Sequence, residues 1–354
     1  MKNYNIAIIG TGNIAGAMAE AINTHPHTSA HAVFSRREET GCSFASQYGI
    51  PHVYTDLDSL LNDQDTDIVY IASPNSLHYP YAKKAILHHK HVILEKPFTS
   101  NRKEAEELFF LAKENDVFLF EAIVTPHSAN YRLLQKKVSE IGKIRYGHIT
   151  CGKRSSRMDA LLEGKEPNTF SPAFSGGSVM DLGVYDIHFV LGLFGRPEEV
   201  NYDAKKYGNG IDLSGTLFLK YPGTDIQCYA CKDSDVNEAC ILIGEKGRIV
   251  LRQGCNARKD FTVYTDEKAI HYDIRNGISR MDEELRDFID IIDRNDHEAE
   301  EELSRKTLEV MDILDKARKD ADIVFPADQK EKESIDLLFH YLFLASSSIP
   351  PISG

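Results

Sequence analysis

The chain has 354 residues, longer than one small core requires, which points to two domains. With 42% hydrophobic and 27% charged residues it has the make-up of a soluble globular protein and is too apolar to be disordered. Lys and Arg number 41 against 54 Asp and Glu, and the resulting charge of −13 argues against nucleic acid or an anionic membrane surface as the main partner.

The first ten residues hold a single short apolar run at 6–9, too short for a signal-peptide core, and no apolar run reaches the ~18 residues of a membrane span; the chain reads as cytoplasmic. Short, β-branched apolar runs follow at 32–34, 52–54, 68–72, 92–94 and 117–120. Runs apolar on both faces suit strands buried on both sides. Between them lie amphipathic stretches, with Ile14, Met18 and Ile22 on one face and Leu77, Tyr81 and Ala85 on another. In a further stretch Ala105, Leu108 and Ala112 share a face, behind Asn101 and Glu104 at capping-box spacing. Strand and helix in this alternation predict a doubly wound parallel sheet, a Rossmann-type domain over residues 1–124.

After Thr125-Pro126 the texture changes. A helix is predicted over 128–140, a strand over 144–151, a polar loop over 152–177 and a helix over 178–194. Alternating runs at 200–206, 213–221, 226–232, 238–244, 248–251, 261–264 and 270–273, some joined by turns such as Tyr221-Pro222-Gly223, predict a large open, mainly antiparallel sheet. Helices over 281–294 and 300–319 are expected to close this second, α+β unit, residues 125–329. The second face of such a sheet needs cover, so a homodimer or dimer of dimers is expected, and a monomeric sedimentation value would refute it. Residues 330–354 read as a peripheral tail.

Gly10-Thr11-Gly12-Asn13-Ile14-Ala15 is G-x-G-x-x-A, placed directly after the first strand and opening a helix. The glycines permit a tight turn and close approach of a pyrophosphate, and the small sixth residue lets helix and strand pack. The helix start supplies amide donors and positive dipole. Where an NAD enzyme carries an acid for the ribose hydroxyls, this chain has Ser35-Arg36-Arg37. Guanidinium groups match a 2′-phosphate, so NADP is expected over NAD. The alternative is that they are solvated residues at the start of the next helix.

Four segments in this order resemble the Gfo/Idh/MocA family of oxidoreductases: the fingerprint, Ser73-Pro74-Asn75-Ser76-Leu77-His78, Glu95-Lys96-Pro97, and Met180-Asp181-Leu182-Gly183-Val184-Tyr185-Asp186 after Gly176-Gly177. The resemblance covers roughly residues 1–328. It implies a nicotinamide bound between the two domains with Lys96 beside it and the substrate. It further implies that Ser73, Pro74, Asn75, His78 and Glu95 contribute to the cofactor side, and that Asp181 is the acid of the last motif. Many members have His four residues beyond that acid; Tyr185 here resembles the branch of dimeric dihydrodiol and xylose dehydrogenases, in which a tyrosine transfers the proton. A second departure is Glu121-Ala122-Ile123-Val124-Thr125-Pro126, which lacks the arginine often found near that proline.

Oxidation of a secondary alcohol sends a hydride to nicotinamide and a proton to a base within ~3 Å of the oxygen. A helical reading of 178–194 puts Asp181, Tyr185 and His188 on one face. A phenol needs a nearby ammonium to act near neutrality, and Lys96 is placed to provide it. The assignment is therefore Tyr185 for proton exchange, Lys96 for oxyanion stabilisation, and Asp181 and His188 for positioning a carbohydrate-like substrate. Two other readings stay open: redox-assisted glycoside hydrolysis without net reduction, and a non-catalytic NADP-binding regulator. The basic loop Lys153–Arg157 reads equally as a substrate contact or a solvated loop. No metal site is expected: Cys228 and Cys231 in a strand point to opposite faces, the six cysteines are too sparse for a disulfide scaffold, and His88, His89 and His91 bridge a helix end and a strand start.

Overall fold

In the computed structural model, residues 2–256, 260–274 and 279–329 are described. The tail read at 330–354 lies outside them.

The first half is a six-stranded parallel sheet of β1 (Tyr4–Ile9), β2 (Thr28–Phe34), β3 (His52–Tyr54), β4 (Ile68–Ile71), β5 (His91–Glu95) and β6 (Leu119–Ala122), in the order β3-β2-β1-β4-β5-β6. It is wound by α1 (Asn13–Thr24), α2 (Glu38–Tyr48), α3 (Leu57–Leu61), α4 (His78–Leu87) and α5 (Arg102–Glu114). Helices on both sides explain the continuous apolar strands: Ile6, Ala7, Ile8 and Ile9 are all at most 1% exposed. The strand order reverses between β1 and β4, which opens a crevice at their carboxyl ends. Two details depart from the sequence reading. The sixth strand begins two residues later than predicted, because the Val117 N–H is taken by the Ala112 carbonyl in the turn that ends α5. At the start of α5, Asn101 accepts the Glu104 N–H, but the Glu104 carboxylate reaches back to Ser100 rather than to Asn101.

The second half contains α6 (Val124–His127), α7 (Ala129–Lys137), α8 (Met158–Leu162) and α9 (Val184–Phe194). Its eight strands are β7 (Ile144–Gly152), β8 (Glu199–Lys206), β9 (Asp212–Tyr221), β10 (Thr224–Cys231), β11 (Ala239–Gly244), β12 (Gly247–Leu251), β13 (Phe261–Thr265) and β14 (Ala269–Tyr272). Their order is β14-β13-β12-β11-β7-β10-β9-β8, antiparallel throughout except for β7 and β10, which run parallel at the centre. A parallel pair needs a long crossover, and the excursion between β7 and β10 through α8 and α9 provides it. The stretch read as a polar loop thus holds α8 and several 3₁₀ turns, and the helix predicted over 178–194 starts with a π turn, Val179–Gly183, before α9. The stretch Pro172–Phe194 is long and apolar enough to cross a membrane by composition, contrary to the sequence count, but 67% of its window is buried in the fold, as befits a core helix.

The last two helices, α10 (Arg280–Asp293) and α11 (His297–Asp320), do not simply close the second half. Met281, Leu285, Phe288 and Ile289 of α10 join Ile6, Ile8, Met18 and Phe120 in the core on one face of the first sheet. The Phe288 and Phe120 rings stack with centroids 4.7 Å apart. Val310, Met311 and Leu314 of α11 belong to the core that runs on through both sheets. The two halves therefore share a continuous core, and Lys96 at the end of β5 reaches Asp181 in the 179–194 segment.

Candidate active site

The crevice at the ends of β1 and β4 is a cavity of about 550 Å³ lined by Gly10, Gly12, Ser35, Arg36, Arg37, Ser73 and Pro74. Gly10 has φ +119°, and a Cβ there would strike the Ala72 carbonyl, so this turn admits only glycine without strain. Gly12 is the N-cap of α1; a Cβ on it would meet nothing within 4 Å, and no side chain caps the helix. The first amides of α1, from Asn13 and Ile14 onward, are therefore available to an anion. Ala15 is fully buried where helix meets sheet. Arg37 is the N-cap of α2, and neither Arg36 nor Arg37 has an ion-pair partner among the described residues.

Three expected cofactor residues are placed behind the lining. His78 is buried, with its ring nitrogens 2.9 Å from the Pro97 carbonyl and 3.0 Å from the Ser73 carbonyl, so it ties the Ser73 segment to the Lys96-Pro97 turn. The Asn75 amide donates to the Ser175 carbonyl at 2.8 Å, stitching the two halves together. Glu95 is buried and accepts from the Tyr70 hydroxyl at 2.6 Å and from the Lys96 N–H at 3.2 Å; burial raises its carboxyl above the usual range, partly offset by these bonds.

At the carboxyl end of β5 the Lys96 ammonium donates to Asp181 Oδ1 at 2.7 Å and to the Asp181 carbonyl at 2.9 Å, and it lies 4.8 Å from the Tyr185 ring centroid. The structure thus brings together Lys96, Asp181 and Tyr185 from residues nearly ninety apart in the chain. Burial opposes the charge on both partners of the pair. Their mutual attraction overcomes it: the Asp181 carboxyl is held well below, and the Lys96 ammonium above, its ordinary value. The Tyr185 phenol is pushed up to about 12 by burial, with Lys96 pulling it back.

Sequence reasoning missed four neighbours of this cluster. Lys232, just past β10, contacts the other Asp181 oxygen and Thr169 Oγ1. Its one signal was its place at the end of an alternating run. Arg280 at the start of α10 acts on Tyr185 and Glu95, and the buried Glu284 on α10, with both carboxyl oxygens unpartnered, is pushed well above the usual carboxylate range by burial. Tyr70 lay unremarked inside an apolar strand.

His188, also expected at the site, packs against Glu121. Its Nε2 lies 3.1 Å from Glu121 Oε2, and it lines a separate cavity of about 650 Å³ with His127, Arg132, Asp287 and Phe288. The π turn Val179–Gly183 alters the spacing between Asp181 and the α9 residues Tyr185 and His188, which stay three residues apart in regular helix. The six cysteines are all free. Cys228 and Cys231 are both buried, three residues apart in a strand. Among the described residues, donor atoms do gather at Cys151, Asp186 and Cys255 beneath α9, and at His31, Asp63 and Asp65. The histidines of 88–91 make separate contacts: His88 with the Lys84 carbonyl, His89 with the Asn115 carbonyl, His91 with the Phe118 N–H. In the basic loop Arg154 pairs with Asp159.

Comparison with known proteins agrees with this fold. Residues 4–123 match the oxidoreductase family with an NAD-binding Rossmann fold, and residues 131–250 match the GFO/IDH/MocA C-terminal domain. The chain is 36% identical over 323 residues to the NADP(+) scyllo-inositol 2-dehydrogenase of Bacillus subtilis, covering 91% of this chain and 98% of that one. It is 25% identical over 338 residues to the trans-1,2-dihydrobenzene-1,2-diol dehydrogenase of Oryctolagus cuniculus, covering 91% and 100%. Among solved structures, a 3-ketoreductase from Actinomadura kijaniata in complex with NADP and TDP-benzene superposes with a TM-score of 0.81 at 23% identity, over 90% of this chain and 98% of that one. An aldose-aldose oxidoreductase from Caulobacter crescentus gives 0.80 at 20% identity, over 91% and 98%. With both of its characteristic domains present in order, the chain belongs to the Gfo/Idh/MocA family of oxidoreductases.

Proposed function

We propose that this protein is an NADP-dependent dehydrogenase or reductase that interconverts a secondary alcohol of a polyol, sugar or cyclic diol with its carbonyl. The observation that carries the reading is the Lys96–Asp181–Tyr185 cluster at the end of β5, beside a crevice that fits a dinucleotide. The fit rests on the start of α1, which no described side chain caps, the open space at Gly12 and two guanidinium groups without an ion-pair partner among the described residues. Gly10, Gly12 and the first α1 amides would hold the pyrophosphate, Arg36 and Arg37 the 2′-phosphate, and the Ser73-Pro74 segment the nicotinamide end. The bound nicotinamide supplies the hydride acceptor or donor. NADP is also the cofactor named for the relative from Bacillus subtilis.

The chain's own residues manage the proton and the charge. In the oxidising direction the Tyr185 oxygen takes the proton of the reacting hydroxyl, so an O–H bond breaks on the substrate and forms on the phenol. The Lys96 ammonium, with two N–H groups on Asp181, turns its third toward that oxygen and stabilises the negative charge that grows there. In the reducing direction the same ammonium polarises the carbonyl and Tyr185 returns the proton. Asp181 fixes the ammonium in place.

The test is a matrix of sugars, inositols and dihydrodiols against NADP⁺ and NAD⁺, followed by the absorbance of the reduced nicotinamide. Stoichiometric reduced cofactor with at least one polyol-type alcohol is expected. No absorbance change in any combination would point to the regulator reading, and substrate cleavage without net reduced cofactor to redox-assisted hydrolysis.

A further inference from the structure

We infer that Lys232 is a positioning residue for this reaction: it holds the second oxygen of Asp181, so the carboxylate stays ionised and in place while Lys96 serves the reacting oxygen. The inference rests on the functional reading above. Its evidence is geometric. The Lys232 backbone is locked, with its N–H on the Leu213 carbonyl at 2.8 Å and its carbonyl accepting from Ser155 at 2.9 Å. Its side chain is only 4% exposed and lies 5.3 Å from the Phe170 ring centroid. The ammonium bonds Thr169 Oγ1 and Asp181 Oδ2, while Lys96 takes Asp181 Oδ1. Each oxygen of one carboxylate therefore carries its own ammonium.

The charge balance gives this arrangement a use. One ammonium facing one carboxylate is a neutral pair whose field at the substrate oxygen is largely cancelled. A second ammonium makes the cluster cationic overall, which is what a developing oxyanion requires. It also changes what happens when Lys96 moves. If Lys96 were the only cation on Asp181, each shift toward substrate would leave a half-buried carboxylate unpaired and inclined to take a proton. Lys232 does not have to move, because among the described residues its ammonium hydrogen-bonds only Asp181 and Thr169. The other charged or titratable groups near the cluster include Glu95 from β5, His78 from α4, Arg280 and Glu284 from α10, Asp212 from β9, Tyr70 from β4 and Tyr185 itself.

The experiment compares Lys232→Met and Lys232→Arg with wild type, alone and in an Asp181→Asn background. For Lys232→Met we expect kcat to fall about tenfold or more, with KM for NADP changed less than about twofold. Lys232→Arg should restore most of the lost turnover. In the Asp181→Asn background, adding Lys232→Met should change kcat by less than about twofold. An unchanged kcat in Lys232→Met, or an equal loss in both backgrounds, would overturn the inference while leaving the functional reading standing.

Thermal unfolding gives a readout that does not need turnover. Near neutral pH the Tm cost of Lys232→Met should be clearly smaller in the Asp181→Asn background than in wild type, because the ion pair it breaks is already gone there. Equal Tm costs in the two backgrounds would refute the role of Lys232 even if no substrate had been found.

Discussion

Lys96→Met tests the proton-transfer chemistry most directly. Tyr185 is pushed up to about 12, and Lys96 is the largest influence holding it from going higher. At pH 8 a phenol of that strength is ionised in about one molecule in 10⁴. Oxidation with Tyr185 as base should then rise nearly tenfold per pH unit through the neutral range. Replacing the ammonium by an isosteric apolar chain removes a cation lying 4.8 Å from the ring centroid. An opposite charge at that distance is worth roughly one to three pH units, so the phenol should rise by that much and oxidation at fixed pH should fall about 10- to 1000-fold. The sign differs by direction: reduction uses the protonated phenol, present throughout the neutral range, and should lose activity through the missing carbonyl polarisation without a shifted pH profile. The assay is initial rate against pH in both directions, with cofactor affinity measured separately. An oxidation profile with its alkaline limb unmoved in Lys96→Met, or full turnover by Tyr185→Phe, would refute this assignment.

Two further outcomes follow from the geometry. Arg36→Ala and Arg37→Ala should each weaken NADP binding by about 10- to 100-fold, the worth of one charge-assisted bond of ~1.5–3 kcal/mol, while leaving NAD binding nearly unchanged; equal weakening of both cofactors in titration calorimetry would show that the guanidinium groups do not read the 2′-phosphate. His188→Gln should keep kcat within about threefold but lower stability by ~1–3 kcal/mol, because it disturbs the buried contact with Glu121; a hundredfold loss of kcat at unchanged Tm would give His188 a part in the reaction.

Much of the molecule was legible before any coordinates. Strand and helix periods are local, and a parallel sheet with helices on both faces has few arrangements, so the first six strands and the crevice at Gly10–Gly12 followed from pattern alone. Lys96 and Tyr185, which the fold brings together, were singled out in the sequence by the resemblance of their segments to the family. What the sequence could not carry was long-range pairing and side-chain direction. Nothing local says that β10 runs parallel beside β7, or that α10 packs its apolar stripe on the first sheet rather than the second. An ideal helical wheel does not anticipate the π turn at Val179–Gly183, which alters the spacing between Asp181 and the α9 residues Tyr185 and His188. Lys232 reaches Asp181 across 51 residues of chain, and that meeting is decided by two elements docking, a matter of tertiary packing that composition and spacing do not encode.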